Sequence, residues 1–126
     1  MRNRDFIGEW LERALKETDP YNKFICSWFV LDFVCPYNIV NDGELLARWL
    51  IRKCRENNVS IYYYEIDTLR TSNHLTLRSV FEEIFKLRKS FVLTNQSLVD
   101  METAKKMNQG ACVLIKILSA INGKIP

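Results

Sequence analysis

The chain has 126 residues, of which 48% are hydrophobic and 26% are charged, and its formal net charge is +3. These values are ordinary for a soluble globular protein and predict a single domain, residues 1–126, with a sizeable core. The longest apolar run, about a dozen residues, is shorter than the roughly 20 that a membrane span needs. The mild positive charge permits a nucleic-acid partner but does not by itself indicate one.

The four cysteines are predicted to be reduced core thiols of a cytoplasmic protein. Cys26, Cys35, Cys54 and Cys112 form no CxxC pair, and the chain has a single histidine, His74. Zinc sites need closely spaced ligands of these types, so we expect neither a metal nor another cofactor. The charged N-terminal segment lacks the apolar stretch of a secretory signal, and we expect none.

Helical periodicity predicts the first two elements. Residues 4–17 carry apolar side chains on one face and charges on the other. Asp19 is a suitable cap for a second helix, Pro20 suits its first position, and Pro36 ends it near residue 35. Residues 24–35 are apolar on nearly every side, which predicts a helix enclosed at the centre of a bundle. Asp32 is then a buried carboxylate within that helix.

Three further helices are predicted at residues 42–57, 75–92 and 100–122. Asn41 and Glu44 have the spacing of a capping box for the third helix. Residues 59–66 (VSIYYYEI) are β-branched and aromatic, and with no sheet to join they predict a short extended connector. The predicted fold is therefore all-α, an antiparallel bundle of about five helices.

His74 is a candidate catalytic residue, and Asp32 is a carboxylate that is either paired or functional. His74 follows Arg70 by four residues, a spacing at which His as general base and Arg as phosphate ligand would suit phosphodiester cleavage. The preceding Thr-Ser-Asn favours a turn instead, with His74 at the surface near a helix start. Asp32 is expected to pair with a cation or a tyrosine, and the alternative is a functional carboxylate with a perturbed pKa.

A basic cluster near the end of the fourth helix consists of Lys86, Arg88 and Lys89. Its cations can bind phosphates, or they can complement the negative end of the helix dipole. The chain has no glycine-rich phosphate loop and no GxSxG elbow, which excludes the nucleotide and hydrolase sites that use them.

Two segments resemble the HEPN family of small helical domains, many of which are prokaryotic RNases or their relatives. The first is Asp19-Pro20 followed by Phe24, Ile25, Trp28 and Phe29, with Asp32 in place of an expected Asn. The second, residues 87–118, resembles the family's Arg-x4-His segment and last helix, with Arg88 as the motif arginine. Active members have a His four to six residues later, but here the fifth position is Leu93, and no histidine lies nearby.

The resemblance implies a helical bundle that often pairs two-fold through the motif helices, with Arg88 as a phosphate ligand. It does not imply RNase activity. We therefore expect a non-catalytic HEPN-like module that is a homodimer or the partner of another protein or RNA, in a prokaryotic defence or toxin–antitoxin setting. One alternative is a metal-independent endoribonuclease that uses Arg88 with His74. Another is a structural protein–protein interaction domain.

Overall fold

The computed structural model of the protein describes residues 2–70, 76–90 and 99–123. Within these ranges the chain forms six α-helices and one 3₁₀ helix, and no strand occurs there. The elements are α1 (Arg2–Lys16), α2 (Pro20–Val34), α3 (Tyr37–Val40), α4 (Gly43–Glu56), the 3₁₀ helix (Tyr63–Glu65), α5 (Leu77–Ser90) and α6 (Met101–Asn122). The all-α class is thus confirmed, and the four-residue α3 is an element that helical periodicity had not revealed.

The starts of α2 and α6 are set by side-chain caps, of which the sequence predicted the one at Asp19. The Asp19 carboxylate accepts a hydrogen bond from the Asn22 backbone N–H at 2.9 Å, and Pro20 is the first helical residue. The Asp100 carboxylate accepts one from the Thr103 N–H at 2.7 Å. Each cap satisfies a backbone donor that has no partner within its helix.

The predicted cap of α4 is wrong by one residue. Asp42, rather than Asn41, accepts hydrogen bonds from the N–H groups of Glu44 and Leu45, at 3.0 and 3.1 Å. The Asn41 side chain instead donates to the carbonyl of Tyr37 at 2.9 Å, where α3 ends. Because α3 extends to Val40, two residues separate it from α4, and the second of them, Asp42, is the cap.

The most enclosed element is α6, and not α2 as predicted. α6 contacts α1, α2, α4, α5 and the 3₁₀ helix, and its buried side chains include Met107, Val113, Leu114, Ile117 and Leu118. None of the described helices combines the length and hydrophobicity needed to span a bilayer.

α2 is only partly buried because it packs mainly between α1 and α6. Its large buried side chains are Phe24, Trp28 and Leu31. The opposite side of the helix is incompletely covered by its neighbours, and its exposed residues are Ile25, Phe29, Asp32 and Phe33. The prediction of an enclosed helix is therefore wrong for this side.

Gly110 lets α2 and α6 approach closely. A Cβ at this position would lie 3.0 Å from Phe24 Cε1 and 3.4 Å from Ile84 Cγ1. Such distances are tighter than ordinary van der Waals contact, so the missing side chain allows the Phe24 ring to fill the space beside α6.

The connector at residues 59–66 runs across α6 without forming a strand. Residues 59–62 have no regular secondary structure, and the 3₁₀ helix follows them. The Lys116 ammonium group of α6 donates to the Ser60 carbonyl at 2.6 Å and pairs with Glu65 at 2.8 Å. Ile66 is buried at the end of the segment, so both polar and apolar contacts hold the connector on the bundle.

Candidate functional site

A groove between α2, α3 and α5 encloses a cavity of about 420 Å³. We call it the α2–α3–α5 groove. It is the place where two of the predicted basic residues and the predicted carboxylate come together. Its lining residues are Trp28, Asp32, Tyr37, Val40, Asn41, Phe85, Arg88 and Lys89.

Asp32 lies on the rim of this groove and not in the core, which corrects the prediction of a buried carboxylate. Trp28 and Asp32 are one helical turn apart, so both face the groove from α2. The residue as a whole is exposed. The carboxylate is nevertheless partly withdrawn from water by the groove walls, and this burial raises its pKa above 3.8. The positive charge of Arg88 and a hydrogen bond from Trp28 act in the opposite direction.

Arg88 presents its guanidinium group to the groove from the last turn of α5. The residue is half-buried, and its Cζ lies 5.9 Å from the centroid of the Trp28 ring, within range of a cation–π contact. Arg88 forms no ion pair with any carboxylate in the described part of the chain, although its charge acts on Asp32 at longer range. Its donors are therefore open to an anionic ligand.

The predicted basic cluster divides into two parts. Lys89 lines the groove, with its Nζ 5.7 Å from the centroid of the Phe85 ring. Lys86 lies outside the lining and pairs with Glu83 at 3.1 Å on the surface of the same helix. At about 100° per residue, Lys86 and Arg88 point in directions about 160° apart, so they cannot both face one groove.

Tyr37 is a groove residue that the sequence did not single out for binding. Its side chain is 83% exposed, and it stands at the start of α3 beside the two cations. Trp28 forms the opposite, rigid wall, since it is buried and stacks on Phe24 with ring centroids 6.0 Å apart. In the sequence, Tyr37 directly follows Pro36 and lies slightly later than the tyrosine that the HEPN resemblance leads one to expect.

His74, which the sequence pairs with Arg70 or Arg88, lies outside the described residues. Arg70 does lie within them, and its Cζ lies 3.4 Å from the centroid of the Tyr63 ring. The guanidinium group of Arg70 is therefore engaged in a cation–π contact with the connector.

The cysteines are free, but they are not all core thiols as predicted. Cys35 and Cys54 are buried, and burial raises the pKa of Cys35 to about 12 and that of Cys54 to about 11. Cys26 is half-buried, whereas Cys112 is exposed on α6. Among the residues that the structure describes, no three His, Cys, Asp or Glu side chains are grouped so that they could hold a metal ion.

A scan against protein-family models finds no match to this chain, and searches of curated proteins and of solved structures find no match either. The similarity to the HEPN family, noted in the residues around Trp28 and Arg88, therefore stays a prediction. The chemistry of the groove is the remaining guide to function. Two cations, an exposed tyrosine ring and one carboxylate can bind a ligand that carries both phosphate and an aromatic base.

Proposed function

We propose that this protein is a non-catalytic, HEPN-like helical module that binds single-stranded RNA in the α2–α3–α5 groove. The observation that carries the proposal is the convergence of Arg88, Lys89 and the exposed Tyr37 ring on one cavity. Phosphate-binding cations beside stacking aromatic rings are the combination that proteins use to bind single strands without base pairing.

The electrostatic part of the interaction comes from the end of α5. Arg88 offers a planar set of donors that is supported on one side by Trp28, and this set suits two oxygens of one phosphate. Lys89 is exposed and supplies a second, more mobile positive charge. Together the two cations can contact two adjacent phosphates of a strand that follows the groove.

The aromatic part comes from Tyr37. Stacking of a base on an aromatic side chain contributes about 1–3 kcal/mol and tolerates any base, because every base has a π-face. A largely exposed ring at the edge of the groove meets this requirement, since it can stack without displacing a packed neighbour.

Asp32 limits where the phosphates can run. Its carboxylate repels a phosphate on the α2 side, so we expect the strand's backbone to follow α5 and its bases to face α2 and α3. The carboxylate can then accept a hydrogen bond from an amino group of a base.

We propose binding without catalysis because the groove offers few groups for proton transfer. In the described part of the chain, Asp32 is the single carboxylate that lines it, and no histidine lines it there. Cleavage of RNA without a metal needs a general base within about 3 Å of the 2′-hydroxyl or connected to it through one water. An endoribonuclease that recruits His74 is the competing function, and the same experiment tests it.

Fluorescence anisotropy with a labelled single-stranded 12-nucleotide RNA tests the binding. We expect Arg88→Ala and Lys89→Ala each to weaken binding about three- to tenfold at about 50 mM salt, since each loses a phosphate contact. Lys86→Ala is the matched control, because Lys86 lies on the same helix outside the groove and should change affinity less than twofold. The double variant should also lower the slope of log affinity against log salt by about 1.4.

Two outcomes would contradict the proposal. One is no salt-sensitive binding by the wild type, and the other is a loss in Lys86→Ala as large as that in Arg88→Ala. Incubation with RNA in the presence of EDTA separates binding from cleavage. If the wild type forms cleavage products and both Arg88→Ala and His74→Ala do not, the protein is an endoribonuclease and not a non-catalytic binding module.

A further inference from the structure

We propose that a second copy of this chain docks on an aromatic face formed by α1 and α2, so that the protein is a two-fold dimer through these helices. We define the α1–α2 aromatic face by Phe6 and Trp10 of α1 with Ile25, Phe29 and Phe33 of α2. This surface differs from the α2–α3–α5 groove, and its residues do not line that groove. The inference goes beyond the proposed function and does not depend on it.

The rings of this face form one continuous cluster. The centroid of Phe29 lies 4.5 Å from that of Trp10 and 6.1 Å from that of Phe6. Phe33 extends the cluster, with its centroid 4.8 Å from that of Phe6. Ile25 lies one turn before Phe29 on the same side of α2. Four aromatic rings from two helices are thus held side by side at the surface.

Apolar side chains of α2 in this face are exposed to solvent, and burying them would be favourable. Phe29 is 43% exposed and Phe33 is 48% exposed, and Ile25 continues the stripe at 38%. The three residues recur every four positions along α2, so they form one stripe and not scattered contacts. Large contiguous apolar patches are rare on monomeric soluble proteins, and they are typical of protein–protein interfaces rich in aromatic side chains.

The charges beside the face indicate a second copy as the occupant. Along α1, the acids Glu9 and Glu12 precede the bases Arg13 and Lys16, and these four side chains line one shallow depression. In a two-fold pair with antiparallel α1 helices, the acids of one copy lie opposite the bases of the other. A surface that is complementary to itself in this way is what an isologous interface requires.

These charges are free to change partners. Lys16 and Glu12 form an ion pair at 3.0 Å within one chain, but their side chains remain 75% and 63% exposed. An exposed pair of this kind contributes little to stability, so exchanging it for contacts across an interface has little cost. Arg13 lies over Trp10, with 4.8 Å from its Cζ to the ring centroid, and so joins the charged row to the aromatic rings.

Sedimentation velocity of the full chain between about 1 and 100 µM tests the proposal. We expect the wild type to sediment with twice the 14.9 kDa mass of the chain. Phe29→Glu and Phe33→Glu should each be monomeric over this range, because a charge buried in an apolar interface without a partner is strongly unfavourable. Tyr64→Glu, which alters another exposed aromatic residue, is the matched control and should remain dimeric. Circular dichroism melting verifies that each variant folds.

A charge-reversal pair tests whether the charged row of α1 lies at the interface, as the antiparallel arrangement requires. The variant Glu9→Lys with Glu12→Lys and the variant Arg13→Glu with Lys16→Glu should each self-associate at least tenfold more weakly than the wild type. An equimolar mixture should recover the dimer, since opposite charges then face each other. A wild type that is monomeric at 100 µM, or a dimer unaffected by Phe29→Glu and Phe33→Glu in folded protein, overturns the proposal. Failure of the mixture to associate overturns the antiparallel arrangement.

Discussion

Asp32 and Arg88 place opposite charges on two walls of the α2–α3–α5 groove. Arg88 attracts a phosphate, whereas the Asp32 carboxylate repels it. Asp32 can instead accept hydrogen bonds from the bases. Their different environments follow from position: Arg88 ends α5, whereas Asp32 lies within α2, where burial by the groove walls raises its pKa. The charge of Asp32 is thus one that acidification can remove.

Replacing Asp32 by Asn should therefore strengthen RNA binding and remove part of its pH dependence. The pKa of Asp32 is raised, so acidification protonates this carboxylate at a higher pH than an ordinary aspartate and removes a charge that repels phosphate. Wild-type affinity should rise as the pH falls. Asp32→Asn should bind about two- to fivefold more tightly at pH 7, since one exposed charge contributes about 1 kcal/mol or less. Anisotropy titrations between pH 4.5 and 7 measure both effects.

Asp67 supplies the control for this measurement. A hydrogen bond from Gln109 is the main reason that the pKa of Asp67 is lowered, so this carboxylate stays ionised throughout the range. Asp67→Asn should leave the pH dependence of binding unchanged. An Asp32→Asn variant with the same pH slope as the wild type would show that Asp32 does not face the bound strand.

At the scale of elements, the short α3 shapes the groove. It follows Pro36, presents Tyr37, and ends where Asn41 donates to the Tyr37 carbonyl. The next helix begins at Gly43, directly after its cap Asp42. This tight junction sets α3 and α4 side by side, and α5 packs on α4 to complete the groove with Arg88.

The assignment of the cap predicts unequal effects for two neighbouring substitutions. Asp42→Ala should lower the free energy of unfolding by about 1 kcal/mol, because two backbone N–H groups of α4 lose their acceptor. Asn41→Ala should lower it by about 0.5 kcal/mol or less, as for other exposed positions. Urea unfolding followed by circular dichroism measures both. A larger loss in Asn41→Ala would restore Asn41 as the cap.

At the scale of the molecule, the long helices could be predicted from the sequence, but the way they pack could not. The 3.6-residue period and the Asp19 cap predicted helices whose ends agree with the structure to within about two residues where both are described. A four-residue helix is too short to show a period, so α3 was missed. The prediction that Asp32 is buried was also wrong, because hydrophobicity alone does not tell which side of a helix lacks a neighbour.

The groove could not be predicted from the sequence either, because it also arises from the packing of distant segments. Its walls come from residues 28–41 and 85–89, and no local pattern in either segment indicates that they meet. The basic residues at 88 and 89 could be named from composition and from the HEPN resemblance. Tyr37 and Asn41 became groove residues only through the packing of α3 against α4. The separation of Lys86 from its neighbours likewise required knowledge of which face of α5 is covered.

RNA binding in the groove is tested most directly by the three tryptophan indole N–H signals in a two-dimensional ¹H–¹⁵N spectrum. Trp28 lines the groove, whereas Trp10 belongs to the α1–α2 aromatic face and Trp49 is buried beneath Lys53. Trp10→Phe and Trp49→Phe variants assign the signals. Addition of single-stranded RNA should shift the Trp28 signal in a saturable manner and leave the other two in place. An unmoved Trp28 signal at RNA concentrations that saturate anisotropy, or a shift confined to Trp10 or Trp49, would contradict binding in the groove.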